Sequence, residues 1–208
     1  VVHKWHHYLP LDDRYFGDYR NAARPVRMLE IGTAEGGSLE LWRGYFGADA
    51  TIFGIDINPQ SATGNGETGN QIRIGSQADP DFLVSVVTEM GGVDIILDDG
   101  SHMASDIRTS FNVLFPLLSE NGLYVVEDVH TSYWRNFGGG YFAKRSFIGM
   151  CKQIIDDMHH WYHPNGQKIS AGKNWIAGLH VHDSIVFIEK ALNKRPLHSH
   201  RGGRRPRG

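Results

Sequence analysis

The sequence predicts an α/β fold, a doubly wound and mostly parallel sheet of seven strands in which the last strand runs antiparallel. Three observations carry this. Apolar runs of strand length alternate with stretches whose apolar residues recur at helical spacing. Two of the runs, "VDIILDD" and "GLYVVED", are apolar almost throughout, as central parallel strands covered on both faces must be. The last two runs, in "AGLHVHDSIVFIEKA", meet at Asp183–Ser184 with no helix between them, so they form a hairpin and the final strand is reversed.

In chain order, "VRMLEIGT" (26–33) is a buried strand and "SLELWRGYF" (38–46) a helix. "TIFGIDI" (51–57) and "QIRIGS" (71–76) are strands, with "SATGNGETGN" (61–70) a surface loop between them. Strands follow at 93–99 and 122–128. Between them Ile107, Phe111, Leu114, Phe115 and Leu118 fall on one helical face. After them Phe147, Cys151, Ile154, Ile155, Met158 and Tyr162 do the same. A parallel sheet closed by one such hairpin suggests the methyltransferase variant of the doubly wound fold.

Composition bounds the function. With 208 residues, 40% hydrophobic and 21% charged, the chain is long enough for one globular domain, expected over 1–192. No window approaches the roughly 18 apolar residues of a membrane span, and "VVHKWHHYLP" is too polar for a secretory signal, so a cytoplasmic protein is expected. The chain opens on Val1, which leaves an upstream segment open. The single cysteine, Cys151, cannot form an internal disulfide and reads as a core thiol. Six of the 21 basic residues lie in 193–208, which holds no acid, so the remainder carries 15 bases against 23 acids. That basic tail is expected to be flexible and solvated. Nucleic acid is not the expected partner of so acidic a body, although an arginine-glycine run can attract it.

Ligands of open α/β sheets bind beyond the carboxyl ends of the strands. At the first strand end stand Glu30, Gly32, Thr33, Gly36, Gly37 and Ser38, in a glycine turn whose amides lead into a helix. The spacing is not the G-x-G-x-x-G of a dinucleotide site. Acid-x-Gly-x-x-x-Gly is instead the pattern of S-adenosylmethionine sites, although glycine turns without a ligand are common. Asp56 at the second strand end would accept both ribose hydroxyls, an ordinary capping Asp being the alternative. Ser76 and Gln77 at the third stand within reach of an adenine, and both are also common turn residues.

The fourth and fifth strands end alike, in "LDDGSH" and "VVEDVH". Neighbouring strands lie about 4.8 Å apart, so Asp99, Glu127 and Asp128 can converge. Such an anionic cluster calls for a cation, and its oxygen ligands suit Mg²⁺, with Ca²⁺ or Mn²⁺ as alternatives. Asp98, on the alternate face, would serve the cofactor side.

These same stretches, "LEIGTAEGGSLELWRGYFGADATIFGIDINP", "DIILDDGSHMASDIRTSFNVLFPLLSENGLYVVEDVHTSYW" and "VHDSIVFIEK", resemble the macrocin and mycinamicin sugar O-methyltransferases and the rhamnosyl O-methyltransferases of antibiotic pathways. The resemblance spans roughly residues 3 to 191. It implies a class I methyltransferase sheet, S-adenosylmethionine as methyl donor, Asp99, Glu127 and Asp128 as Mg²⁺ ligands, His102 as general base and a small-molecule sugar or diol as acceptor. A sugar diol would chelate the metal while His102 takes the proton of the attacking hydroxyl. Some relatives carry an additional N-terminal region that helps build the acceptor site. A homo-oligomer is expected.

Three other readings share these residues. A catechol-type O-methyltransferase would chelate an aromatic diol on the same ion. A NAD-dependent dehydrogenase would leave the carboxylates idle, and a nucleic-acid-binding module would depend on the tail. Among other features, "HKWHHY" (His3, His6, His7) is either part of the active-site mouth or a cap on the sheet, and His130 stands close enough to line the pocket. His159, His160 and His163 suit a helix C-terminus. "TSYWRNFGGGYF" (131–142) is either an acceptor lid or a simple connection.

Overall fold

The computed structural model describes residues 4–64, 71–163, 173–199 and 201–202. Seven strands form one sheet in the order β3-β2-β1-β4-β5-β7-β6, where β1 is Arg27–Ile31, β2 Thr51–Asp56, β3 Gln71–Ile74, β4 Val93–Asp98, β5 Leu118–Val126, β6 Ile176–His182 and β7 Ile185–Lys190. The first five run parallel, and β7 pairs antiparallel with β5 and with β6. Every residue of β4 is buried, which is why its sequence is apolar rather than alternating. Strand order reverses between β1 and β4, the place where such sheets open a crevice.

Helices α2 (Gly37–Phe46), α4 (Ala104–Leu117) and α5 (Phe147–Met158) lie where helical spacing predicts them. Two more, α1 (Leu9–Arg20) and α3 (Pro80–Met90), were not anticipated. The signals for α3 are local: Asp79 caps it by accepting from the Asp81 and Phe82 amides, and Pro80 opens its first turn. Helix α1 is polar and buries only Asp12 and Phe16, so its apolar periodicity is faint.

Several expectations need correction. Leu118 belongs to β5, not to the face of α4, because the chain passes from helix to strand without a loop. The junction is held from β7, where Lys190 Nζ donates to the carbonyls of Phe115 (3.0 Å), Pro116 (2.8 Å) and Leu118 (2.5 Å). On α5, Ile155 is 45% exposed, and Tyr162, beyond the helix end, is 69% exposed; Met150 is buried beside Cys151 and Ile154. The span 61–70 is a plain loop only in part: Pro59–Gly64 forms a 3₁₀ helix with Ser61 buried, and 65–70 lie outside the described residues. Asn193, taken as the start of the tail, is pinned by hydrogen bonds to Asn174, Met158 and Trp161. Residues 203–208 lie outside the described residues. Among the described residues, no helix is long and apolar enough to cross a membrane.

Candidate active site

Register brings the strand ends level. Ile31 pairs with Asp98, and Asp98 with Val126, so the chain leaves β1, β4 and β5 at one height. The Asp99 amide donates to the Ile31 carbonyl and the Glu127 amide to the Asp98 carbonyl. Gly32 follows β1 with φ +86°, and a Cβ there would stand 2.3 Å from the Asp99 carbonyl oxygen. Only glycine lets the first loop pass this close to the fourth.

Two adjoining cavities open here and share Gly32. The smaller, about 190 Å³, is bounded by Asp56, Ser76, Gln77 and Gly100. Asp56 already accepts from the Ala34 and Asn58 amides, one to each oxygen, both at 2.8 Å, which holds its carboxylate at the end of β2. The larger, about 480 Å³, takes Thr33 and Ser38 from the glycine turn, Asp99 and His102 from the β4 loop, and Glu127 and Asp128 from the β5 loop. Gly37 is the first residue of α2 and Gly36 its left-handed cap, so the amides of that turn point out of the helix start. A hollow of about 470 Å³ lies at the opposite end of the central strands, where Arg24 is paired with Asp94 and Lys190 with backbone carbonyls.

Asp99, His102 and Asp128 each present a ligand atom within 4.8 Å of the others. The predicted triad was Asp99, Glu127 and Asp128. Glu127 lines the same cavity, but its Oε1 stands 2.6 Å from Lys4 Nζ, and His102 completes the compact group instead. His102 Nε2 lies 3.8 Å from Asp128 Oδ2. Both His102 (φ 57°) and Asp128 (φ 52°) adopt left-handed backbone, an uncommon conformation for residues with side chains.

The electrostatics are those of crowded, buried acids. Burial and the neighbouring Glu127 carboxylate push Asp99 well above the ordinary carboxylate range, and burial raises Glu127 despite Lys4. Burial lifts Glu30 and Asp12 each to about 7, against the pull of Lys4. Burial lowers His102 below its ordinary 6.5, with the Asp128 carboxylate opposing, so its imidazole is neutral at pH 7. Lys4 therefore stands among four carboxylates, Asp12, Glu30, Asp99 and Glu127, an imbalance that a divalent cation would correct. Thr33 Oγ1, buried in the cavity wall, has no hydrogen-bond partner among the described residues.

No protein-family model matches the chain. The demethylmacrocin O-methyltransferase of Streptomyces fradiae is 38% identical over 205 residues, covering 91% of this chain and 51% of the relative. The mycinamicin VI 2''-O-methyltransferase of Micromonospora griseorubida is 38% identical over 205 residues, covering 90% and 49%. The solved MycE methyltransferase of the mycinamycin pathway, in complex with Mg, SAH and mycinamycin VI, superimposes with a TM-score of 0.83 at 37% identity, covering 92% of this chain and 50% of that one. Over this span the chain is similar to the macrocin- and mycinamicin-type sugar O-methyltransferases. It spans about half the length of the curated relatives it matches, and its sheet is the class I methyltransferase sheet.

Asp98 departs from expectation. It is 1% exposed and accepts from Gln77 Nε2 (3.1 Å), Ser110 Oγ (2.6 Å) and the Tyr124 hydroxyl (3.1 Å), so its oxygens face protein and not a cavity. Gln77 in turn accepts from the Ser101 amide (2.6 Å), tying the β3 loop to the loop that carries His102. His130 is held by Ser184 Oγ (2.5 Å) and lies edge-on to Trp134 instead of lining the larger cavity. His159, His160 and His163 sit within hydrogen-bonding distance of carbonyls at the end of α5, the structural role expected of them. Of "HKWHHY", Lys4 and Trp5 reach the larger cavity, while His3 lies outside the described residues. Lys4, Tyr8, Asp12 and Ser110 carry no signal in the sequence, since no local spacing ties them to strand ends more than 100 residues away or to a buried aspartate.

Proposed function

We propose that the chain is the catalytic portion of a metal-dependent O-methyltransferase that moves a methyl group from S-adenosylmethionine to a hydroxyl of a sugar. The observation that carries this is the gathering of Asp99, His102 and Asp128 within 4.8 Å, with Glu127 on the same cavity wall and the glycine turn opposite. The smaller cavity suits the adenosine, with Asp56 toward the ribose and Ser76 and Gln77 toward the base. Gly32, Thr33 and Ser38 line the turn that would receive the methionine portion, with Glu30 buried in β1 and Gly37 opening α2 behind it, and the unpartnered Thr33 hydroxyl offers a hydrogen bond. Asp99, Asp128 and Glu127 would hold Mg²⁺, hard oxygen donors suiting that ion. The named relatives favour a sugar hydroxyl over an aromatic diol.

Held by these residues, Mg²⁺ would supply Lewis-acid polarisation that lowers the pKa of the acceptor hydroxyl. His102 does the rest of the proton chemistry. Neutral because it is buried, it accepts the hydroxyl proton as the oxygen takes the methyl carbon and the carbon–sulfur bond breaks, releasing S-adenosylhomocysteine. Asp128, near the ring, stabilises the imidazolium that results.

Isothermal titration of S-adenosylmethionine and S-adenosylhomocysteine, with and without Mg²⁺, tests the reading on wild type and Asp99→Ala. Cofactor binding by wild type and loss of Mg²⁺ binding in the variant are expected. A wild type that binds neither ligand overturns it.

A further inference from the structure

Two adjacent acids at the end of β5 are each held by one residue of the segment before α1. Lys4 Nζ stands 2.6 Å from Glu127 Oε1 and 4.0 Å from Asp12 Oδ2, and it lies 4.7 Å from the centre of the Trp42 ring. Its side chain is only 6% exposed. Four residues on, the Tyr8 hydroxyl donates to Asp128 Oδ1 at 2.9 Å, has the Ser184 carbonyl at 3.0 Å, and accepts from the Asp128 amide at 3.3 Å. The same segment is fastened to the β6–β7 turn through His7, whose Nε2 lies 3.1 Å from the Asp183 carbonyl. That turn supports the acids as well, because the Ser184 carbonyl accepts from the Val129 amide.

We propose that Lys4 and Tyr8 are positioning residues, a clamp from the N-terminal segment that fixes the Glu127–Asp128 pair for a divalent cation. The inference rests on the metal reading above. It explains how Asp128 is held in left-handed backbone with φ 52°: Tyr8 binds both its amide and its carboxylate, leaving Oδ2 toward His102. It also explains why a buried lysine stands among acids that a cation would otherwise neutralise alone. Lys4 holds one oxygen of Glu127, so the carboxylate has a fixed orientation before any ion arrives. Partners behind a metal ligand commonly change affinity by roughly 10–100-fold.

The test is Mn²⁺ binding, followed by the electron paramagnetic resonance of the free ion, on wild type, Tyr8→Phe and Lys4→Met, with S-adenosylhomocysteine titrated in parallel. Tyr8→Phe keeps the ring packing and removes only the hydroxyl. The expected result is Mn²⁺ affinity weakened on the order of 10-fold in each variant, with nucleoside affinity within about twofold of wild type. The sign at Lys4 discriminates, since a lysine acting only as a through-space charge would on removal leave a more acidic cluster and tighten the ion. Unchanged or tighter Mn²⁺ binding in the variants overturns the clamp while leaving the metal reading standing. Parallel loss of nucleoside binding overturns it too, as a general folding effect. A wild type that takes no Mn²⁺ removes the metal reading, and the clamp with it.

Discussion

His102 shows how its surroundings would fit one residue for the proposed role of general base. It follows Gly100 and Ser101, and its left-handed backbone turns the imidazole back toward the acids at the end of β5. Burial keeps it neutral, so it can receive a proton at physiological pH. Replacing it with alanine is expected to lower turnover at least 100-fold, the ordinary contribution of general base catalysis being roughly 10²–10⁴-fold. S-adenosylhomocysteine affinity should stay within a few-fold of wild type. Comparison of kcat with a nucleoside titration checks this, and combined loss of both would reassign His102 to cofactor binding or to the fold. Gly32 is its counterpart on the opposite loop, a residue chosen for the space it leaves free beside Asp99.

The elements differ in how they are secured. Central strands are held by continuous apolar burial, whereas the junction of α4 and β5 depends on one side chain. Pro116 lies inside the last turn of α4, and Lys190 of β7 supplies the donors that the carbonyls there lack. Lys190→Met keeps the length of the stem and removes all three hydrogen bonds, leaving buried acceptors without partners. A loss of roughly 2–4 kcal/mol in unfolding free energy is expected, read as a lower urea midpoint with an unchanged slope. No change in the midpoint would mean that water satisfies these carbonyls as well as the lysine does.

At the scale of the whole molecule, the acids behind the site set how stability varies with pH. Glu30 and Asp12 have folded values of about 7 against ordinary values of 4.5 and 3.8, both raised mainly by burial. The folded state therefore binds more protons than the unfolded chain between about pH 4 and 7, and this cluster's contribution to stability falls as pH rises through that window. A cation binds the ionised form, so its stabilising effect runs the other way. The rise in melting temperature on adding Mg²⁺ is expected to be larger at pH 8 than at pH 5.5, by differential scanning fluorimetry. An increment independent of pH would separate these acids from the metal.

Much of this architecture was legible in the chain because the signals are local. Near-continuous apolar runs announce buried strands, the Asp183–Ser184 turn announces the reversed last strand, and the glycine turn with its acids marks the ligand end of the sheet. Helix α1 lacks a strong apolar period in the sequence because it is polar over most of its surface, while the start of α3 is marked only by the Asp79 cap and Pro80. Asp98 and Glu127 could be placed at strand ends, but not told apart by environment. One is enclosed by Gln77, Ser110 and Tyr124, and the other is gripped by Lys4. Sequence alone determined the sheet, the family resemblance and the residues at its strand ends, since periodicity and spacing act within a few turns of chain. Only the tertiary structure decided which carboxylates face the cavity and that Lys4 and Tyr8 stand behind them, because those contacts join different elements, those of Tyr8 and Lys4 across 120 or more positions, and exist only once the strands are in register.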